Sequence, residues 1–173
     1  RVAVLYDNSL VWDRAPSVEL LVELIGRAET EIDLMTPFPN FDPELTRALI
    51  DAVDRGVRVR LITNHRDAAI RGGLILLSSY PTVIRLIEAG VEVWAWKANP
   101  GLLEQVADVN CAPSIMPPIA LHGKAARIDR SVTIIHSSNF NIRSTFYNTE
   151  AGLAVLDRGF NARVKRLFDG LLT

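Results

Sequence analysis

Leu121-His-Gly-Lys-Ala-Ala-Arg-Ile-Asp129 continues as Arg130-Ser-Val-Thr-Ile-Ile-His-Ser-Ser-Asn139, a segment of regularly spaced polar residues. Apolar residues alternate around its polar ones, which predicts two strands joined by a tight turn at Asp129-Arg130-Ser131. Residues two apart in a strand point to one face. His122 is therefore expected beside Lys124, and Ser137 beside Asn139 on the returning strand, with the four polar tips converging at one end of a sheet. An imidazole, a cation and two neutral hydrogen-bonding groups together suit a phosphate ester.

A lone His-x-Lys pair on a strand is most often structural or a surface feature. The spacing of the whole set carries more weight. His122-x-Lys124-x4-Asp129 is followed after six residues by x-Ser137-x-Asn139 and then by Asn148-Thr-Glu150. This resembles the signature of the phospholipase D superfamily. The run Asn139-Phe-Asn-Ile-Arg-Ser-Thr-Phe-Tyr-Asn-Thr-Glu150 is similar to the bacterial cardiolipin synthase branch. So are Asp42-Pro-Glu-Leu45 and Arg55-Gly-Val-Arg-Val-Arg-Leu-Ile-Thr-Asn64. The resemblance covers nearly the whole chain.

With 173 residues the chain is long enough for one domain with its own core. The net charge of −1 gives no basic field for nucleic acid or an anionic membrane. A single cysteine, Cys111, excludes an intrachain disulfide, and no Cys/His cluster offers a zinc site. No apolar run approaches the roughly twenty residues that span a bilayer. The chain opens Arg1-Val-Ala-Val-Leu-Tyr6, directly in a strand and without an initiator methionine. It is therefore expected to be a domain excised from a longer protein, residues 1–173 forming one half-domain with a single His-x-Lys set. The expected location is cytoplasmic, with peripheral contact at the inner membrane kept open.

Along the chain, Val2–Tyr6 reads as a buried strand and Asp7–Pro16 as a surface linker. Ser17 is expected to cap a helix whose buried face holds Val18, Leu21, Ile25 and Ala28. Glu31–Thr36 reads as a strand, and Asp42-Pro43 as the start of a helix that ends at Gly56. Val57–Thr63 is a strand, a helix falls within Leu74–Ala89, and Val91–Trp96 is another strand. Trp94 and Trp96 are expected in the core. Lys97–Pro118 is a long proline-containing connection of the kind that covers a site or meets a partner. The two junctions Asp54-Arg-Gly-Val-Arg-Val59 and Glu88-Ala-Gly-Val-Glu-Val93 repeat one helix–Gly–strand device. After the hairpin come a loop or short helix near 141–146, a strand from Glu150 to Leu156 and a closing helix. This order predicts an α/β sandwich with a mixed, mainly parallel sheet flanked by helices. The resemblance implies the same architecture, that of a phospholipase D half-domain.

An ordinary imidazole, with a pKa of about 6.5, is mostly neutral at pH 7, so His122 can attack phosphorus and release an alcohol. The phosphohistidine is then resolved by water or a second alcohol, and no metal or cofactor is required. Lys124 and Asn139 would hold the non-bridging oxygens. Ser137 is either a further donor or a strand hydroxyl bonded to backbone. One histidine does not readily serve as both nucleophile and leaving-group acid. The resemblance implies that a second half-motif supplies the other imidazole and that Glu150 orients one of the two. That half lies either in the same parent chain, the reading favoured here, or in a second copy.

Asp129 reads more readily as a turn-capping aspartate than as a functional group. Arg143 and Asn148 are candidates to touch a phosphate or glycerol group, or to brace the loop. The family usually has glycine before Ser137, and here it is His136, which either crowds the approach to phosphate or replaces a donor. The loop from Asn64 to Ile70 also departs from the serine-rich stretch of cardiolipin synthases. The implied activity is phospholipase D-type phosphodiesterase or phosphatidyltransferase chemistry on a phospholipid or other phosphodiester. The alternatives are a homodimeric nuclease, which the charge disfavours, and a degenerate, non-catalytic half-domain.

Overall fold

The structure is a computed structural model that describes residues 1–65, 73–96 and 120–172, with backbone alone for 73–76. Its elements are β1 (Val2–Asn8), α1 (Pro16–Arg27), β2 (Glu31–Met35), α2 (Pro43–Asp54), β3 (Arg58–Asn64), α3 (Gly73–Glu88), β4 (Glu92–Trp96), β5 (Ala125–Ile128), β6 (Val132–His136), α4 (Ile142–Phe146), β7 (Thr149–Val155) and α5 (Arg158–Gly170). The described strands form one sheet in the order β1-β7-β6-β5-β2-β3-β4. The expected connection Lys97–Pro118 and Cys111 lie outside the described residues.

The mixed α/β sandwich agrees with the sequence reading, with one refinement of its parallel character. Among the described strands only β2–β3 and β3–β4 pair in parallel. The other neighbours, β1–β7, β6–β7, β5–β6 and β2–β5, are antiparallel. Most strands still run one way, because β5 and β7 alone point back. The reversal between β5 and β6 follows from the tight turn at 129–131 that joins them, which leaves no room for a crossover helix.

Helices α1 and α2 cover one face. Val18, Leu21 and Ile25 of α1 and Leu45, Leu49 and Ala52 of α2 pack on Ile32, Leu34, Val59, Leu61 and Ile134. The other face is covered by α5, whose Phe168 packs with Met35 and Ile62. Asp42 caps α2 as expected, accepting from the backbone N–H of Glu44 at 2.8 Å and Leu45 at 3.0 Å. Gly56 and Gly90 take φ of +86° and +95°, the left-handed ending that both helix–Gly–strand junctions call for.

Three expectations are corrected. Ser17 is not the cap of α1, which starts at Pro16 after Ala15 with no side-chain cap. Instead the Asp7 carboxylate accepts from the Ser17 N–H at 2.9 Å and the Ser17 hydroxyl at 2.5 Å, so β1 supplies the anion to the helix start. Nor is β1 a buried strand. It is a sheet edge with Val2, Val4 and Tyr6 exposed, because the helix on that side, α5, packs over β5 and β6. Trp94, on the opposite edge strand, is 43% exposed rather than in the core.

Charges also enter the interior, at alternate positions of three neighbouring strands. Register places Asp33 opposite Arg60 on one side and Arg127 on the other. Asp33 accepts from Arg60 Nε at 2.5 Å and Arg127 Nε at 2.6 Å, and all three residues are buried. Removing one member of such a set leaves uncompensated buried charge. Asp33→Ala is therefore expected to cost about 3–5 kcal/mol in urea unfolding. A loss near 1 kcal/mol or less would contradict this account of the core.

Candidate active site

The carboxyl ends of β2, β3 and β6 and the amino ends of β5 and β7 meet at one end of the sheet, where α/β folds place their ligands. Asn64, the last residue of β3, grips the approach to β5. Its Nδ2 donates to the Leu121 carbonyl at 3.0 Å and its Oδ1 accepts from the Leu121 N–H at 2.7 Å. The next residue is His122. It is exposed and precedes β5, so it is not on a strand as expected. Lys124 also precedes β5, and its Nζ donates to the His122 carbonyl at 2.7 Å. The ladder reaches Lys124 all the same, because its carbonyl accepts from the His136 N–H at 3.0 Å.

Alternation then decides which groups share a face. Ala126, Ile134 and Ala154 point into the core beneath α1 and α2. Two residues on, Lys124, His136 and, by way of Gly152, Glu150 take the same side. Burial pushes the Lys124 ammonium below its ordinary pKa, with Glu150 pulling it back. Burial would likewise raise Glu150, but hydrogen bonds outweigh it and hold the carboxyl below the usual range. The Ser137 hydroxyl donates to Oε2, while Ser144 Oγ and Asn148 Nδ2 each donate to Oε1 at 2.9 Å. Asn139 joins the cluster through backbone: its N–H donates to Ser144 Oγ at 3.3 Å, and its carbonyl accepts from Thr36 Oγ1 at 2.9 Å. The Asn139 Oδ1 is buried without a hydrogen-bond partner among the described residues.

Against known families, residues 21–172 match the one described as "Cardiolipin synthase, PLD-like domain". The chain belongs to this family. It is 28% identical over 143 residues to cardiolipin synthase A of Buchnera aphidicola subsp. Schizaphis graminum, a match covering 83% of this chain and 25% of that protein. Cardiolipin synthase B of Escherichia coli (strain K12) is 28% identical over 155 residues, covering 87% and 31% respectively. The chain thus spans about a quarter to a third of the length of the curated relatives it matches. In fold it is similar to Nuc from Salmonella typhimurium, a phospholipase D family member. The TM-score is 0.70 at 18% identity, covering 99% of this chain and 93% of that one.

Within this PLD-like domain the remaining sequence candidates fall apart spatially. Asn148 is part of the Glu150 cluster. Arg143 is exposed on α4 and is not among the side chains bonded to Glu150. Asp129 stands at the far end of the sheet, beyond the carboxyl end of β5. Its carboxylate accepts from the backbone N–H groups of Glu29, Thr30 and Glu31 at 3.1, 2.8 and 3.0 Å and from Thr30 Oγ1 at 2.7 Å. These bonds outweigh burial and keep its carboxyl low. Asp129 therefore clamps the β5–β6 turn to the start of β2, rather than capping its own turn as expected. His136 is buried over Gly152, where any Cβ would meet its Cδ2 at 2.0 Å.

The sequence reading did not single out Ser144, Asn64 or Asp7. Ser144 had a usable signal, since Asn141 caps α4 by accepting from the Ser144 N–H at 2.9 Å and so sets the orientation of that first turn. Among the described residues, no three His, Cys, Asp or Glu side chains form a group that could hold a metal ion.

The hydrogen bonds to Glu150 favour its ionised form, so its depressed pKa adds stability above the unfolded carboxyl's pKa, lost as the pH falls through the folded one. Glu150→Gln is expected to lower stability by about 1–3 kcal/mol at neutral pH, and the gap to close in acid. Urea unfolding of both proteins at neutral and acid pH reads this. A gap that does not change with pH would contradict it.

Proposed function

We propose that this domain performs phospholipase D-type transfer on a phosphodiester, of the phosphatidyltransferase or phosphodiesterase kind, with His122 as nucleophile. The observation that carries the reading is the gathering of Lys124, Ser137, Asn139, Asn148 and Glu150 next to an exposed histidine, in a chain of the cardiolipin synthase PLD-like family. A ring nitrogen of His122 bonds to phosphorus while the bond to the leaving oxygen breaks. A second imidazole gives that oxygen its proton. Water or another alcohol then attacks phosphorus, the P–N bond breaks, and the same second imidazole takes the incoming proton. Lys124 and the Asn139 amide hold the non-bridging oxygens through both steps. Such a preorganised donor is worth on the order of 10²–10³ in rate.

The second imidazole belongs, in this proposal, to another half-domain of the same parent polypeptide. A bare stretch of sheet supports its docking here. Cross-strand register sets Ile135 beside Leu153 and Leu153 beside Val4, and all three are exposed on the face that α5 leaves uncovered. The adjoining row ends at Ser137, whose N–H donates to the Ala151 carbonyl at 2.9 Å. Among the described residues no helix is long and apolar enough to cross a membrane. Contact with phospholipid is proposed as peripheral, and turnover of soluble diesters alone would count against it.

His122→Asn in the active assembly is expected to abolish turnover of phospholipid vesicles, with an unchanged unfolding curve. Retained turnover would end the proposal. Sedimentation of this chain alone is expected to show an inactive monomer. An active dimer would transfer the second imidazole to a second copy.

A further inference from the structure

We propose that His136 is a positioning residue for this site, holding the turn that carries Ser137 and Asn139. This rests on the reading of the site given above. The imidazole is buried, and its Nδ1 accepts from the Ser138 N–H at 3.0 Å. A nitrogen that accepts carries no proton, so the neutral ring holds its hydrogen on Nε2. That nitrogen lies 3.7 Å from Asp7 Oδ2, the carboxylate that also takes both donors of Ser17 at the start of α1. At that distance the neutral ring makes no hydrogen bond to Asp7, and Nε2 is buried without a hydrogen-bond partner among the described residues, so His136 holds the turn through the bond from the Ser138 N–H. The charged groups facing it are Asp7 from β1 and Glu150 from β7. Burial outweighs both and keeps the ring below its ordinary pKa, in the form that accepts from Ser138.

The turn needs such a tie. Phe140 is fully buried with φ at +54°, a left-handed conformation that is strained for a bulky side chain. Strain of this kind persists only where neighbours over-determine it. The Ser138 hydroxyl accepts from the Phe140 N–H at 2.9 Å, and Ser138 itself is anchored by His136. Gly152 completes the arrangement, since a side chain there would occupy the space of the ring. His136 therefore does not crowd the site: its side chain turns inward, and its contribution reaches the substrate through Asn139.

The test compares His136→Ala with His136→Asn, whose amide oxygen can take the place of Nδ1. In amide NMR spectra of the chain, the Ala variant is expected to move Ser138, Asn139 and Phe140 and to weaken orthovanadate binding, while the Asn variant restores both. In the active assembly the Ala variant is expected to lower kcat by roughly 10- to 100-fold with little change in KM, and the Asn variant to recover most of it. Unmoved turn amides in the Ala variant, or an Asn variant as impaired as Ala, would overturn the proposal. Should the Ala variant fail to fold, the wild-type Ser138 amide must still titrate together with the His136 ring, and independence of the two would overturn it. Failure of the underlying functional reading is separate: His122→Asn would then be fully active whatever the Ser138 amide does.

Discussion

The buried carboxylate of Asp33, held between Arg60 and Arg127, is the constraint on which the site's geometry depends. It joins β2 to the parallel strand β3 on one side and to the antiparallel strand β5 on the other. A strand that slips by one residue turns every side chain to the opposite face. Any slip of β5 would separate Arg127 from Asp33, removing the buried arginine from its carboxylate and leaving Asp33 with Arg60. It would also turn Lys124 away from Glu150. The ion set at the middle of the sheet thus decides which way the polar groups at its end must point. Further hydrogen bonds fix it from above: Arg60 reaches Asp169 of α5 at 2.9 Å, and Arg127 reaches Asn161 at 3.1 Å. Asp129 pins the other end of β5 to residues 29–31, so that strand is held at its middle and at its far end.

At the open end, burial and hydrogen bonding divide the labour among the polar groups. Glu150 keeps its charge because three neutral donors replace the water it has lost. Among the described residues, the buried Lys124 has its hydrogen bond to the His122 carbonyl and the attraction of Glu150 to sustain its charge. A buried cation with few fixed partners gains most from an arriving anion, which suits a phosphate site. His122 is exposed beside Lys124, and the Asn139 Oδ1 has no hydrogen-bond partner among the described residues.

Much of this was legible in the sequence because it is local. The hairpin, the Asp42 cap and the glycine endings of α2 and α3 each depend on a few consecutive residues, and each was found where expected. The residues of the motif were legible too, though their backbone was not: Gly123 interrupts the approach to β5, and β6 gives way at Ser137, whose hydroxyl turns to Glu150. What escaped reading depends on partners distant in sequence. The Asp7–Ser17 link, the grip of Asn64 on Leu121 and the clamp of Asp129 on residues 29–31 leave no trace in periodicity. The edge position of β1 was hidden for the same reason, since its apolar pattern is compatible with burial and only its pairing with β7 reveals the exposed side.

The measurement closest to the central claim is the identification of the phosphorylated residue during turnover. The active assembly would be mixed with a phosphodiester, quenched within the first turnovers under alkaline conditions and digested for mass spectrometry. The account predicts a substrate-derived phosphoryl group on the peptide that contains His122, absent when His122 is replaced by asparagine. Turnover that continues with no modified His122, or with the group on another residue, would contradict it.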